Sequence, residues 1–285
     1  MRSNVLHYDL IAPPTVQAVL ELLANAPSIH TPIAGGTELM VALGAGRLAP
    51  KKLISLNHLR ELRFIHVSPE EITIGSGTTF TDIRRHATIA TDFPLLAQAA
   101  SWTGSIANQN RGTLGGNIVN ASPAADSPPA LLVYDATVTL ISAHGTRTLP
   151  YRDFHISYKK TALAPDELVH SITLPRAYAA YTGYIRKVGT RNAQAISKVA
   201  LAALALMENG VIADIRIGAA SLRETPIRCL AVESTLLNQP ITPETIAAAR
   251  KALSTEAKPI DDIRSTAQYR SAVAANLLEE FLSTL

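Results

Sequence analysis

Apolar residues along the first half of the chain alternate between a spacing of two and a spacing near 3.6, the signatures of strand and helix. "VLHYDLIAP" reads as a strand, and "TVQAVLELLANA" as a helix with Thr15 as N-cap and Val16, Val19, Leu20 and Leu23 on one face. "IHTPIAGG" predicts a strand running into a glycine turn, after which "TELMVALGAG" resumes helix and stops at Gly44 or Gly46. Three strands follow in "KKLISLN", "LRFIHVS" and "EEITIGSG", the last two joined by a turn at "SPEE". Thr81 to Trp102 has helical spacing broken at Pro94. From Gly104 to Asn117 the pattern lapses into a long glycine- and asparagine-rich loop. "SPPALLVYD" then predicts a short helix with proline harmlessly near its start. "TVTLISA", "GTRTLPYRDF" and "DELVHSITLP" complete an α+β region near Pro175.

Beyond Pro175 the pattern changes. "GYIRKVG", "ISKVALAALALM" and "VIADIRIGAAS" read as an antiparallel sheet, the last two joined at "ENG". The alanines of "ISKVALAALALM" leave helix as the competing assignment. Helical patterns cover residues 226–238, 243–254 and 266–284. The expected division is therefore 1–176 and 177–285.

Composition narrows the function. A chain of 285 residues suits about two domains, and 47% hydrophobic residues supply ample core. Its apolar runs fall short of the ~18 residues a membrane span needs, and no apolar signal segment opens the sequence, so the expected location is the cytoplasm. Net charge is +3 without a basic stripe, which argues against nucleic acid and is compatible with a small anionic ligand. The single cysteine, Cys229, excludes an internal disulfide and any all-cysteine cluster within the chain. Eight histidines stand singly, with no pair at metal-ligand spacing, so no metal site is expected.

Two glycine pairs remain to be explained, in "TPIAGGTEL" and "GTLGGNIVNASPAADSPPALL". Each removes two Cβ atoms and places several N–H groups close together, a geometry that holds anions. Helices starting at Thr37 or Asn117 would add the positive ends of their dipoles. Two such turns could grip a diphosphate from both sides, whereas ordinary tight turns would have no ligand. Other motifs fail: "GAGRLA" follows a helical run where a dinucleotide fingerprint needs a strand, no Walker lysine is present, and Ser122 sits outside a G-x-S-x-G elbow.

Both turns resemble the flavin-binding motifs of the FAD subunit of molybdenum hydroxylases, the family of the xanthine and carbon monoxide dehydrogenases. The resemblance continues through "DELVHSITLP" and "RKVGTRNAQAISKV" and covers most of the chain. It implies a para-cresol methylhydroxylase-type FAD-binding domain of two α/β subdomains, followed by a small domain of antiparallel sheet plus helical bundle. It also implies bound FAD, a small partner subunit with 2Fe–2S clusters, and a large partner holding molybdopterin. Carried over by position, Thr31, Pro32, Ile33, Ala34, Gly35, Gly36, Thr37 and Glu38 match the loop that wraps the FAD diphosphate. Thr113, Leu114, Gly115, Gly116 and Asn117 match the second loop, and Thr103 and Gly104 line the flavin. Asp126 matches an acidic contact, Val169 an apolar one, and Lys187 a basic one near the isoalloxazine. On their own, Asp126 also reads as an N-cap, Val169 as core, and Lys187 as a solvated strand residue.

The resemblance implies an electron-exit subunit, carrying electrons from 2Fe–2S clusters through FAD to an external acceptor such as NAD, oxygen, quinone or ferredoxin. With a single cysteine, the chain lacks the inserted 4Fe–4S loop of some relatives. Two alternatives are a free-standing FAD-dependent oxidoreductase with its own substrate and a flavin-free assembly subunit.

Overall fold

The computed structural model describes residues 8–48, 52–191 and 194–285. The start of the first expected strand, residues 5–7, and two positions of the "RKVGTRNAQAISKV" stretch, 192 and 193, lie outside them. The chain opens with a parallel sheet of order β1-β3-β2, built from β1 (Asp9–Ile11), β2 (His30–Ile33) and β3 (Lys52–Ser55). Parallel strands need crossover connections, and α1 (Val16–Asn25) supplies the one from β1 to β2, the two edges that flank β3. The Thr15 hydroxyl accepts the Ala18 N–H at 3.2 Å, and Val16, Val19, Leu20 and Leu23 bury against Ile54, Leu59, Leu62 and Leu168. The N-cap and apolar face are those the sequence predicts.

A five-stranded antiparallel sheet follows, comprising β4 (Ile65–Val67), β5 (Glu71–Gly75), β6 (Thr137–Ser142), β7 (Gly145–Pro150) and β10 (Leu168–Pro175). Its order, β4-β5-β10-β6-β7, puts β10 in the centre, and "LVHSITLP" is correspondingly rich in buried residues. Between β7 and β10 lies a small hairpin of β8 (His155–Ser157) and β9 (Lys160–Thr161). The helices α3 (Phe80–Arg85), α4 (Ala87–Asp92), α5 (Pro94–Trp102) and α8 (Pro128–Val133) contribute to the same core. The region expected to break only at Pro94 breaks also at His86, whose backbone is extended and ends the capping-box helix begun by Thr79.

The loop expected from Gly104 to Asn117 is partly helical. Short helices α6 (Ile106–Gln109) and α7 (Leu114–Val119) occupy it. The cause is local capping, since the Ser105 hydroxyl accepts the Asn108 N–H and the Thr113 hydroxyl accepts the Gly116 N–H. Neither glycine turn starts a helix where expected: α2 (Leu39–Gly44) begins two residues after Thr37, and Asn117 lies inside α7.

The C-terminal sheet runs β11-β12-β13-β14, all antiparallel, from β11 (Thr182–Val188), β12 (Val199–Glu208), β13 (Val211–Ala220) and β14 (Ile227–Arg228). Asn209 and Gly210 both have positive φ, as a tight two-residue hairpin requires. The alanine-rich "VALAALALME" is therefore strand. Its alternate residues Ala202 and Leu204 enter the core of the preceding region, while Val199, Leu201, Ala203 and Ala205 enter the core under the C-terminal helices. Those helices are α9 (Leu230–Leu236), α10 (Pro243–Glu256) and α11 (Ala267–Leu282). The helix expected over 226–238 is shorter, because residues 227–228 pair with β13 before α9 begins.

The two regions are joined closely. A Cβ on Gly218 of β13 would lie 2.5 Å from the Pro129 carbonyl oxygen of α8, so only glycine permits the approach. Beside it, Asp135 accepts from Arg216, from Arg228 at 2.6 Å and from the Tyr178 hydroxyl at 3.1 Å. Arg228 also pairs with the buried Glu233, whose second role is to accept the Ile217 N–H at 2.7 Å.

In the β8–β9 hairpin, His155 packs edge-on against Tyr151 and Phe154 and bonds the Tyr151 hydroxyl at 2.9 Å. Burial lowers its pKa from 6.5 to about 4. The unfolded chain therefore takes up this proton first as pH falls, so the folded state loses stability between about pH 6.5 and about 4. We expect wild type to exceed His155→Gln in urea stability at pH 7.5, with the gap narrowing or reversing at pH 4.5. An unchanged gap would locate the acid sensitivity elsewhere.

Candidate functional site

The two glycine turns, far apart in sequence, meet in space. Thr31, Pro32 and Ile33 lie on β2, paired with Leu53, Ile54 and Ser55, so the edge of the parallel sheet delivers Ala34 and the glycines. A Cβ on Gly35 would fall 1.9 Å from the Arg111 carbonyl oxygen and 3.0 Å from the Gly112 Cα. The first turn is thus pressed against the backbone that leads into Thr113. Gly36 has φ +74, the left-handed conformation, and lets the chain reverse into α2. An added Cβ on Gly112 would sit 3.5 Å from the Thr37 hydroxyl, so this threonine faces the second motif.

Amide geometry distinguishes the turns. Among the described residues, the N–H groups of Gly35, Gly36, Thr37 and Glu38 have no acceptor, while the Gly36 carbonyl accepts from Met40. The second turn differs from the expected nest of free amides. Leu114 N–H donates to Thr78, Gly115 N–H to Ser76, Gly116 N–H to the Thr113 hydroxyl and Asn117 N–H to the Thr113 carbonyl. Asn117 Oδ1 accepts the Ser127 hydroxyl at 2.6 Å, tying α7 to the start of α8. Leu114 is a core residue. The first turn can offer amides to an anion, while the second forms a braced wall beside it, with Gly116 exposed.

Lys187 and Asp126 form the other half of the site. Lys187 Nζ bonds Asp126 Oδ2 at 2.7 Å and the Trp102 carbonyl at 3.2 Å. Their side chains are only 8% and 11% exposed, so Lys187 is no solvated strand residue. Asp126 is not the N-cap of α8 either, since Ser127 holds that position and the carboxylate points to Lys187 and Ser197. Burial pushes the Asp126 carboxyl up, against the opposing pull of Lys187 and the Ser197 hydroxyl. Thr103 and Gly104 follow directly on Trp102. The Thr103 hydroxyl donates to Ala99, and Gly104, at φ +61, lies over Asn108. Asn108 in turn accepts the Gly112 N–H, so α6 connects the Lys187 end to the glycine cradle. Val169 packs in the main core, and its neighbour His170 accepts the Ser76 N–H, bringing β10 under the second turn.

Three participants carry no signal in the sequence. Ser197, fully buried, donates to Asp126 Oδ1 at 2.8 Å. Ser76 seats Gly115. Lys159 bonds the Asn120 carbonyl and side chain at 2.9 Å; burial lowers its pKa, opposed by the nearby Glu38. Cys229 is buried, and burial pushes its thiol far up, consistent with a packing role. Among the described residues no cluster could hold a metal ion, and no helix is long and apolar enough to cross a membrane.

The sequence alone casts Gly115 as a point of ligand approach, but its first neighbour is protein. A Cβ there would meet Ser76 Cβ at 2.5 Å and its carbonyl oxygen at 2.8 Å. Gly115→Ala should therefore lower stability by about 1–3 kcal/mol without any ligand, as overpacking does. Denaturant melts of the ligand-free chain measure this, and wild-type stability would show that the wall relaxes freely.

Comparison with known proteins identifies the family. The model for the FAD binding domain in molybdopterin dehydrogenase matches residues 6–177, and that for the CO dehydrogenase flavoprotein C-terminal domain matches residues 184–285. The alpha subunit of the 6-hydroxypseudooxynicotine dehydrogenase complex of Paenarthrobacter nicotinovorans is 30% identical over 97% of this chain and 93% of its own. The xanthine dehydrogenase FAD-binding subunit of Escherichia coli O157:H7 is 29% identical, over 94% and 92% of the two chains. Among solved structures, a carbon monoxide dehydrogenase from Hydrogenophaga pseudoflava lacking the Mo-pyranopterin moiety superposes with a TM-score of 0.92 at 27% identity, covering 96% of this chain and 95% of that one. With its glycine cradle, buried Lys187–Asp126 pair and two matched domains, this chain belongs to the FAD-binding subunit family of the molybdopterin dehydrogenases.

Proposed function

We propose that this chain is the FAD-carrying electron-transfer subunit of a multi-subunit molybdenum hydroxylase. In this reading a small partner subunit delivers electrons from 2Fe–2S clusters, a large partner oxidises substrate at molybdopterin, and an external acceptor (NAD, oxygen, quinone or ferredoxin) removes the electrons. Membership in a family whose relatives are dehydrogenase subunits supports the role, and the amides of Gly35 to Glu38, which have no acceptor among the described residues, carry the cofactor assignment. When bound, FAD supplies a carrier that takes electrons singly and gives them up in pairs.

The chain's own residues do the holding. Thr31 to Glu38 would wrap the diphosphate, with free N–H groups donating to its oxygens and Thr37 adding a hydroxyl. Thr113 to Asn117 would close the other side as a fixed wall, so little order has to be gained on binding. Thr103, Gly104 and Val169 would border the flavin ring, and Lys187 would set a positive charge beside it with Asp126 as counter-ion. We place the division between the flavin-holding and C-terminal domains at residues 176/177, and the complex in the cytoplasm.

Gly36→Val should abolish FAD binding, because a β-branched residue is strained at φ +74 and the turn would re-aim its amides. The melting temperature of the variant should then no longer rise with added FAD, whereas that of wild type should. Wild-type flavin occupancy in the variant would remove the diphosphate assignment.

The lone FAD-loaded chain should also pass electrons between artificial donors and acceptors yet oxidise no purine, aldehyde or N-heterocycle. Rapid mixing with such substrates tests this: flavin bleaching without partner subunits would identify a free-standing oxidoreductase instead.

A further inference from the structure

The Lys187–Asp126 pair is held from behind by a polar chain that runs deep into the C-terminal domain. Asp126 Oδ1 accepts the Ser197 hydroxyl at 2.8 Å, and the Ser197 carbonyl accepts the Ser221 hydroxyl at 2.9 Å. Ser221 has φ +67 and donates its N–H to Pro123 at 2.7 Å, so this junction links the segment before Asp126 to the end of β13. Arg270 of α11, only 3% exposed, donates to the carbonyls of Lys198 and Ser221 and pairs with Asp262. Ser197 and Ser221 are both buried, so no water competes for these bonds. A serine hydroxyl buried against a carboxylate has one evident use: it supports the negative charge.

We propose that Ser197 is a positioning residue for electron transfer, setting the net charge that Lys187 and Asp126 present to the bound flavin. This rests on the reading that Lys187 faces the flavin. The direction follows from elementary electrostatics. Asp126 as an anion cancels much of the Lys187 charge, and Ser197 favours that anion. Without the hydroxyl, the carboxyl takes up a proton more readily when reduction adds negative charge nearby. Lys187 is then left uncompensated, and the reduced state gains stability. Removing Lys187 has the opposite sign, because a cation is lost. The framework around Ser197 is set by Ser221 and Arg270, so loss of a single oxygen at Ser197 leaves the packing in place.

The test is the midpoint potential of FAD in the full chain, measured spectroscopically for wild type, Ser197→Ala, Lys187→Met and the double variant. Ser197→Ala should shift the reduced-to-oxidised ratio about tenfold toward reduced, roughly 30 mV upward for a two-electron couple. Lys187→Met should move it downward. In the Lys187→Met background the serine change should be silent, since a buried carboxyl that has lost its cation is already protonated and carries no negative charge for the hydroxyl to support. An equal shift in both backgrounds would reduce Ser197 to a structural residue and overturn the proposal, as would an unchanged potential in Ser197→Ala alongside a lowered one in Lys187→Met. An unchanged potential in Lys187→Met would instead refute the flavin-facing reading of Lys187, and the proposal would fall with it.

Discussion

The structure depends on one strand being buried on both faces. Alternate side chains of β12 belong to different cores, Ala202 and Leu204 to the first and Val199, Leu201, Ala203 and Ala205 to the second. Strand geometry enforces this division, because successive side chains point to opposite faces. The abundance of alanine follows from the same constraint: a strand packed against α8 on one side and against the C-terminal helices on the other has room for small residues. A shift of one residue would exchange the two sets and misfit both cores. The C-terminal sheet therefore acts as a second wall of the first region, which is how Lys187 on β11 comes to stand beside Asp126.

Close approach of backbones does the rest of the positioning. Gly35 against Arg111 and Gly112, Gly115 against Ser76, and Gly218 against Pro129 are three places where a Cβ would collide with protein. The first two bring the halves of the cradle together, and the third seats the C-terminal sheet. Contacts within the protein therefore fix the shape of the cradle. Its asymmetry has a physical basis, since the second turn directs its amides to Ser76, Thr78 and Thr113 while those of the first have no acceptor among the described residues.

Charged groups at the seam between the two regions pair across it. Asp135 with Arg216 and Arg228, and Asp126 with Lys187, each join groups from opposite sides. Burying such pairs costs desolvation that their attraction roughly offsets, so their value lies in geometry more than in stability. At the Asp135 cluster that geometry is structural. At Lys187 the same arrangement holds the ammonium against Asp126 and the Trp102 carbonyl.

The sequence by itself determined the elements whose signal is local. The Thr15 cap and apolar face of α1, the strand that delivers the first glycine turn, the "ENG" hairpin and the family motifs were all legible, because capping, periodicity and turn chemistry act within a few residues. Tertiary structure decided what depends on distant partners. "VALAALALME" could be strand or helix until its two cores were formed around it. The apparent loop after Gly104 held helices α6 and α7, whose caps use hydroxyls scattered through a glycine-rich stretch. Gly115 was legible as a special position, but the reason lay 39 residues away at Ser76. Lys187 and Asp126 were each ambiguous until folding placed them 2.7 Å apart, and Ser197 had no local pattern at all. A charge in sequence has no environment; burial and the partner across the seam give it one.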